Sequence, residues 1–107
     1  MKSINDLRQL RDALREFGAA RQWRAYHSPK NLSMALSVEV AELLEHFQWL
    51  TAEESLNLSC EQSAEVADEV ADVLLYLTQL ADVLGIDLLE AASRKLVKNA
   101  IKYPPTV

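Results

Sequence analysis

Apolar residues recur along this chain at alternating steps of three and four. Leu7, Leu10, Leu14 and Phe17 do so first, with Ser3 and Asp6 placed as a helix start, which predicts a helix over roughly residues 4–24. Gly18 falls inside that span and lowers its helix propensity. A polar connector runs from Ala25 to Asn31, and in it Pro29 biases Ser28 away from helical geometry. Leu32, Leu36, Val40, Leu43 and Phe47 then share one face and predict a second helix over roughly residues 32–49. After a loop containing Asn57, Ser59 and Gln62 have capping-box spacing. They open a third helix that reaches about Leu84, with Val66, Val70, Val73, Leu77, Leu80 and Leu84 as its stripe. Gly85 suits a left-handed terminus, Asp87 with Glu90 opens a fourth helix, and Pro104 and Pro105 end it. Four helices on short links predict an all-α, four-helix antiparallel bundle forming a single domain over residues 1–107.

Composition agrees with that reading. Of 107 residues, 50% are apolar and 25% charged, with only two Gly and three Pro to interrupt helices. So small a domain buries a limited share of its surface, and oligomerisation is the obvious source of further burial. Eleven basic against sixteen acidic residues leave −5, which argues against a DNA-binding surface. Cys60 is the only cysteine, so neither an intrachain disulfide nor a Cys-based zinc site is available within one chain. The N-terminal residues run straight into a charged amphipathic pattern, and we expect an untargeted, soluble, cytoplasmic protein.

Two carboxylate pairs bear on chemistry. Glu39 with Glu42, and Glu69 with Asp72, are three apart, so each pair projects from one side of its helix. At roughly 100° per residue, Glu39 falls within about 20° of Leu32 and Glu69 within about 40° of Val73, so both border the apolar stripes. If the second and third helices pack along those stripes, four carboxylates converge, and they cannot all remain ionised without a cation. Mg²⁺ is held by a few carboxylates and takes phosphate oxygens as further ligands, which makes a Mg²⁺–phosphate site the natural reading. The alternative is a solvated acidic face, the expectation for Glu53, Glu54, Glu61, Glu65 and Asp68, and spacing alone leaves both open. A di-iron carboxylate site is set aside, because neither His27 nor His46 has a Glu three residues before it.

Cationic and aromatic side chains add partners for such a ligand. Lys95, Asn99 and Lys102 recur on one face near the C-terminus, as phosphate recognition or a solvated, dipole-complementing helix end would have them. Tyr76 extends the face of Glu69 and Asp72, while Trp23, Trp49 and His27 are placed to stack on or hydrogen-bond a base. Each of these is also an ordinary packing residue at such a position, and His46 caps or decorates the second helix.

Taken together, Trp23 through Asn31, Glu39-Val-Ala-Glu42-Leu with Phe47-Gln48-Trp49, Glu69-Val-Ala-Asp72-Val-Leu-Leu-Tyr76-Leu and Lys95 through Pro104 resemble the MazG-like all-α nucleotide pyrophosphohydrolases. The likeness is nearest to the dCTP pyrophosphatase branch and spans nearly the whole chain. It implies Mg²⁺-dependent hydrolysis, with Mn²⁺ as a possible substitute, of (deoxy)nucleoside triphosphates, dCTP-like in preference, to monophosphate and pyrophosphate. It also implies a dimer or dimer of dimers whose sites draw on neighbouring subunits. By position, Glu39, Glu42, Glu69 and Asp72 match the metal-binding, catalytic acids. Lys95, Asn99, Lys102 and Tyr103 match the phosphate side, and His27, Asn31, Trp49 and Tyr76 the nucleoside pocket, with Trp23 a further candidate. Val38 stands where many relatives carry a second Glu directly before the first motif acid, and the connector from Trp49 to Ser59 is short. The expected chemistry is in-line attack of water on the α-phosphorus, with Glu39 or Glu42 as general base. The rival readings are a catalytically silent nucleotide- or protein-binding bundle, and the same reaction on dUTP, dATP or a modified pyrimidine triphosphate.

Overall fold

The computed structural model describes residues 3–106, leaving Met1, Lys2 and Val107 of the predicted domain outside the described residues. Within it the chain forms α1 (Leu7–Ala20), a 3-10 turn (Arg24–Tyr26), α2 (Pro29–Glu45), a short α3 (Ala52–Ser55), α4 (Cys60–Val83) and α5 (Leu88–Lys102), with no strand among the described residues. The all-helical expectation is met, and the helix ends show how the sequence sets them. Asp6 caps α1 by accepting from the Gln9 amide at 2.7 Å. That helix stops earlier than the pattern predicted. Trp23 N–H donates to Gly18 C=O at 3.0 Å and Gln22 N–H to Ala19 C=O at 3.2 Å, a Schellman motif with Gln22 in left-handed geometry at φ 56°. α4 ends the same way through Ile86 to Ala81 at 2.8 Å and Gly85 to Asp82 at 3.1 Å, with Gly85 at φ 69°.

α2 begins three residues before the predicted start. Ser28 takes the extended conformation that a following proline favours, caps the helix by accepting from Asn31 N–H at 3.1 Å, and leaves Pro29 in the first turn, where a missing N–H costs nothing. The connector after Trp49 carries one helical turn rather than plain loop. Thr51 and Glu54 form a reciprocal capping box for α3, and Ser59 and Gln62 form the one expected for α4.

α2 and α4 make the principal packing contact, and α1 lies on the second half of α4. Leu32 and Ala81 are the only buried apolar side chains among the described residues. Leu74 and Leu77 on α4, and Leu89, Leu96, Val97 and Ile101 on α5, remain exposed. The chain exposes 8619 Å², whereas a compact monomer of 12.0 kDa exposes roughly 6,000 Å². Its radius of gyration of 16.7 Å likewise exceeds the roughly 13 Å of a compact chain this long. About 2,600 Å² of surface is therefore left uncovered. α5 projects from the α1–α2–α4 unit instead of closing a bundle within the chain.

Candidate functional site

Packing of α2 against α4 brings the acids together. Glu39, Glu69 and Asp72 each place a carboxylate oxygen within 4.8 Å of the others, and all three are half-buried, as is Glu42 one turn along α2. Oε2 of Glu39 and Oε2 of Glu69 are fully shielded from solvent and have no hydrogen-bond donor. Among the described residues no lysine, arginine or histidine comes within ion-pair distance of the four carboxylates. Burial pushes the Glu39 carboxyl up to about 7, with hydrogen bonds to Glu42 and Glu69 and the charges of Glu42 and Asp72 adding to it. Burial raises Glu69 too, opposed by its hydrogen bond with Glu39. Hydrogen bonds between carboxyls need a proton shared between the acids, and the two shielded Oε2 atoms stand outside them with no donor of their own. A hard divalent cation satisfies such an all-oxygen set, so the residues present fit Mg²⁺ or Mn²⁺.

One turn beyond this cluster, His46 Nδ1 stands 4.0 Å from Glu65 Oε2. His46 thus extends the acid-bearing face of α2 as well as ending the helix, and Glu65 stands across from it.

The residues expected to face the nucleoside are spread along α2 and α4 and the segments flanking α2. His27 is half-buried, its ring 6.0 Å from that of Trp23, which sits edge-on to Phe17 at 5.5 Å. Asn31 Nδ2 donates to Tyr26 C=O at 3.0 Å, bracing the 3-10 turn. Tyr76 is half-buried one turn beyond Asp72. Trp49, 87% exposed, lies past the other end of α2, about 25 Å from the His27 end for a helix of this length. One chain therefore does not gather His27 and Trp49 around a single base. Lys95, Asn99, Lys102 and Tyr103 lie on α5, with Lys102 Nζ 5.3 Å from the Tyr103 ring centre and Tyr103 N–H donating to Asn99 C=O at 2.7 Å. None of the four meets the acids of its own chain at ion-pair distance.

A second feature was not anticipated. A cleft of about 700 Å³ opens between α1, the 3-10 turn and α4, lined by Arg11, Gly18, Arg24, His27, Gln79 and Asp82 among others. Arg15 holds one wall to the other through Asp82, its Nε donating to Oδ2 at 2.8 Å and its Nη2 to Oδ1. That pair draws the Asp82 carboxyl below its ordinary value. Its partners are 67 residues apart, so periodicity within either helix gives no sign of them. The i, i+3, i+7 spacing of Arg8, Arg11 and Arg15 was the available signal.

The MazG-like family pattern matches residues 34–106. The chain is 39% identical to dCTP pyrophosphatase 1 of Homo sapiens over 104 residues, 95% of this chain and 59% of that protein. It is 38% identical to dCTP pyrophosphatase 1 of Bos taurus over 104 residues, 95% and 60% of the two chains. It thus spans about 60% of the length of the curated relatives it matches. The crystal structure of a pyrophosphatase from Archaeoglobus fulgidus superposes with a TM-score of 0.88 at 45% identity, covering 98% of each chain.

Proposed function

This chain belongs to the MazG-like family, and on that premise we propose that it is a Mg²⁺-dependent pyrophosphohydrolase that converts nucleoside triphosphates, dCTP-like in preference, to monophosphate and pyrophosphate. The observation that carries the reading is the convergence of Glu39, Glu69 and Asp72 with two shielded oxygens that lack any donor. Such a cluster is unfavourable in an empty, ionised site and favourable around a divalent cation. Glu39, Glu42, Glu69 and Asp72 hold the ion, and Mn²⁺ can replace it. When bound, the ion supplies neutralisation of the charge on the triphosphate. Glu39 or Glu42 accepts the proton of the water that attacks the α-phosphorus.

The phosphates also need donors, and the acids' own chain brings none to them. Lys95, Asn99, Lys102 and Tyr103 fill that role from α5 of a neighbouring copy, in a homodimer or homotetramer. Two observations support this: α5 is largely unpacked in its own chain, and the uncovered surface of about 2,600 Å² is of the size that obligate assemblies bury. The role that follows is cytoplasmic clearance of unwanted nucleotides. Glu42→Gln and Asp72→Asn proteins should fold, assemble and lose Mg²⁺-dependent pyrophosphate release. Full activity in either purified variant removes that residue from the metal set.

A further inference from the structure

α2 and α4 run antiparallel along the seam that holds the acids. Glu39 meets Asp72 there. Seven residues on along α2, and seven back along α4, His46 Nδ1 faces Glu65 Oε2 at 4.0 Å. Seven residues are two helical turns, so the second pair projects from nearly the same faces as the first. Glu42 and Glu69 stand between the pairs, one turn and about 6 Å along the axis from His46 and Glu65 respectively. Among the described residues His46 is the one basic side chain that meets a carboxylate across this seam. It is half-buried and Glu65 is exposed, so a ligand lying on the acids can reach the imidazole.

The seam also has a direction. Tyr76 lies one turn past Asp72 on α4, Asn31 is in the first turn of α2, and His27 stands just before that helix. These three residues mark the end of the seam opposite His46. A triphosphate with its nucleoside at that end and its α-phosphate at the acids extends its β- and γ-phosphates toward His46. One helical turn is the length scale that two linked phosphate groups span. The donors of α5 belong to another copy, and no basic group stands at the acids themselves, so this imidazole is what the acid-bearing chain brings to the outer phosphates. A protonated imidazole carries a donor on each ring nitrogen. One can serve Glu65, now beyond hydrogen-bond length, while the other makes a charge-assisted bond to a phosphate oxygen.

Resting on the hydrolase reading above, we propose that His46 binds the outer phosphates of the substrate and holds the departing pyrophosphate, with Glu65 as the positioning residue that orients its ring. As water oxygen bonds to the α-phosphorus, the bond to the bridging oxygen breaks and its electron pair stays on pyrophosphate. His46 donates a hydrogen bond to that product and keeps its proton.

The test is calorimetric binding of inorganic pyrophosphate and of dCMP, with Mg²⁺ present, to the wild-type assembly and to His46→Leu and Glu65→Leu. His46→Leu should lose pyrophosphate affinity about tenfold or more, the consequence of losing a hydrogen bond between charged groups, and bind dCMP as the wild type does. His46→Gln should show the same split at smaller amplitude, and it replaces the leucine variant if that one fails to assemble. Glu65→Leu should also weaken pyrophosphate binding, although it removes a negative charge from the seam. Wild-type pyrophosphate affinity in both His46 variants, an equal loss for dCMP, or no pyrophosphate binding to the wild type would overturn the assignment of His46. Tighter pyrophosphate binding by Glu65→Leu would show a carboxylate that only repels, and would remove its positioning role. The two readings fail separately. Selective loss of pyrophosphate by His46→Leu, without triphosphate turnover by the wild type, would spare the site and sink the hydrolase. Wild-type turnover of dCTP with KM and kcat unchanged in His46→Leu would do the reverse.

Discussion

Replacing Glu39 by glutamine keeps the shape of the acid cluster and removes one of its charges. In the metal-free protein the folded state holds the Glu39 proton more tightly than the unfolded chain does, with a pKa raised from 4.5 to about 7. The contribution of this group to stability is therefore full below the ordinary glutamate value and is lost as pH rises through about 7. At about 1.4 kcal/mol per pH unit the loss at pH 8 is at most roughly 3 kcal/mol. Water reaches the half-buried carboxyls and screens them, which brings the expected figure to roughly 1–2 kcal/mol. Glu39→Gln should then melt roughly 5–10 °C above wild type at pH 8 in EDTA. The gap should close at pH 5, where the wild-type carboxyl is already neutral. Mg²⁺ should raise the wild-type midpoint at pH 8, following ligand linkage, and raise the variant's much less. Scanning calorimetry at one fixed protein concentration reads all of these. A variant no more stable than wild type at pH 8 without metal, or a gap that persists at pH 5, would refute the idea that the cluster is held in electrostatic tension for a cation.

Other consequences are local. Gln22→Gly should stabilise the fold by about 0.5–1 kcal/mol, because the left-handed site that ends α1 costs glutamine and not glycine; urea denaturation measures it. Asp82→Asn should lose about 1 kcal/mol at neutral pH for this part-exposed pair. Its deficit should vanish in acid, since the lowered Asp82 pKa gives stability that is present above the ordinary aspartate value of 3.8 and lost as pH falls through the folded value. Leu96→Asp with Ile101→Asp on exposed α5 should convert the assembly to a smaller species in analytical ultracentrifugation, and an unchanged sedimentation coefficient would remove α5 from the interface.

Much of the architecture was legible because its signals are local. The Ser59–Gln62 capping box, Gly85 and the Asp87 cap each stand at the helix end they predict, and the carboxylate pairs border the stripes along which α2 and α4 pack. The Thr51–Glu54 capping box was equally present in the sequence, but a four-residue helix has too little periodicity to register beside it. The end of α1 carried no such sign, since glutamine is not a residue type that marks a left-handed terminus. The α1–α4 cleft depends on Arg15 meeting Asp82 across 67 residues, and no pattern within a helix encodes that. The closing of a bundle by α5 is absent from the single chain. An apolar helix face specifies burial, and it does not specify which copy of the chain provides it.

The measurement that bears most directly on the account is product analysis of dCTP incubated with the purified protein, with and without Mg²⁺, by ³¹P NMR. dCMP and pyrophosphate should form in equal amounts, and only with the divalent ion. Release of orthophosphate with dCDP, or equal turnover in EDTA, would contradict this.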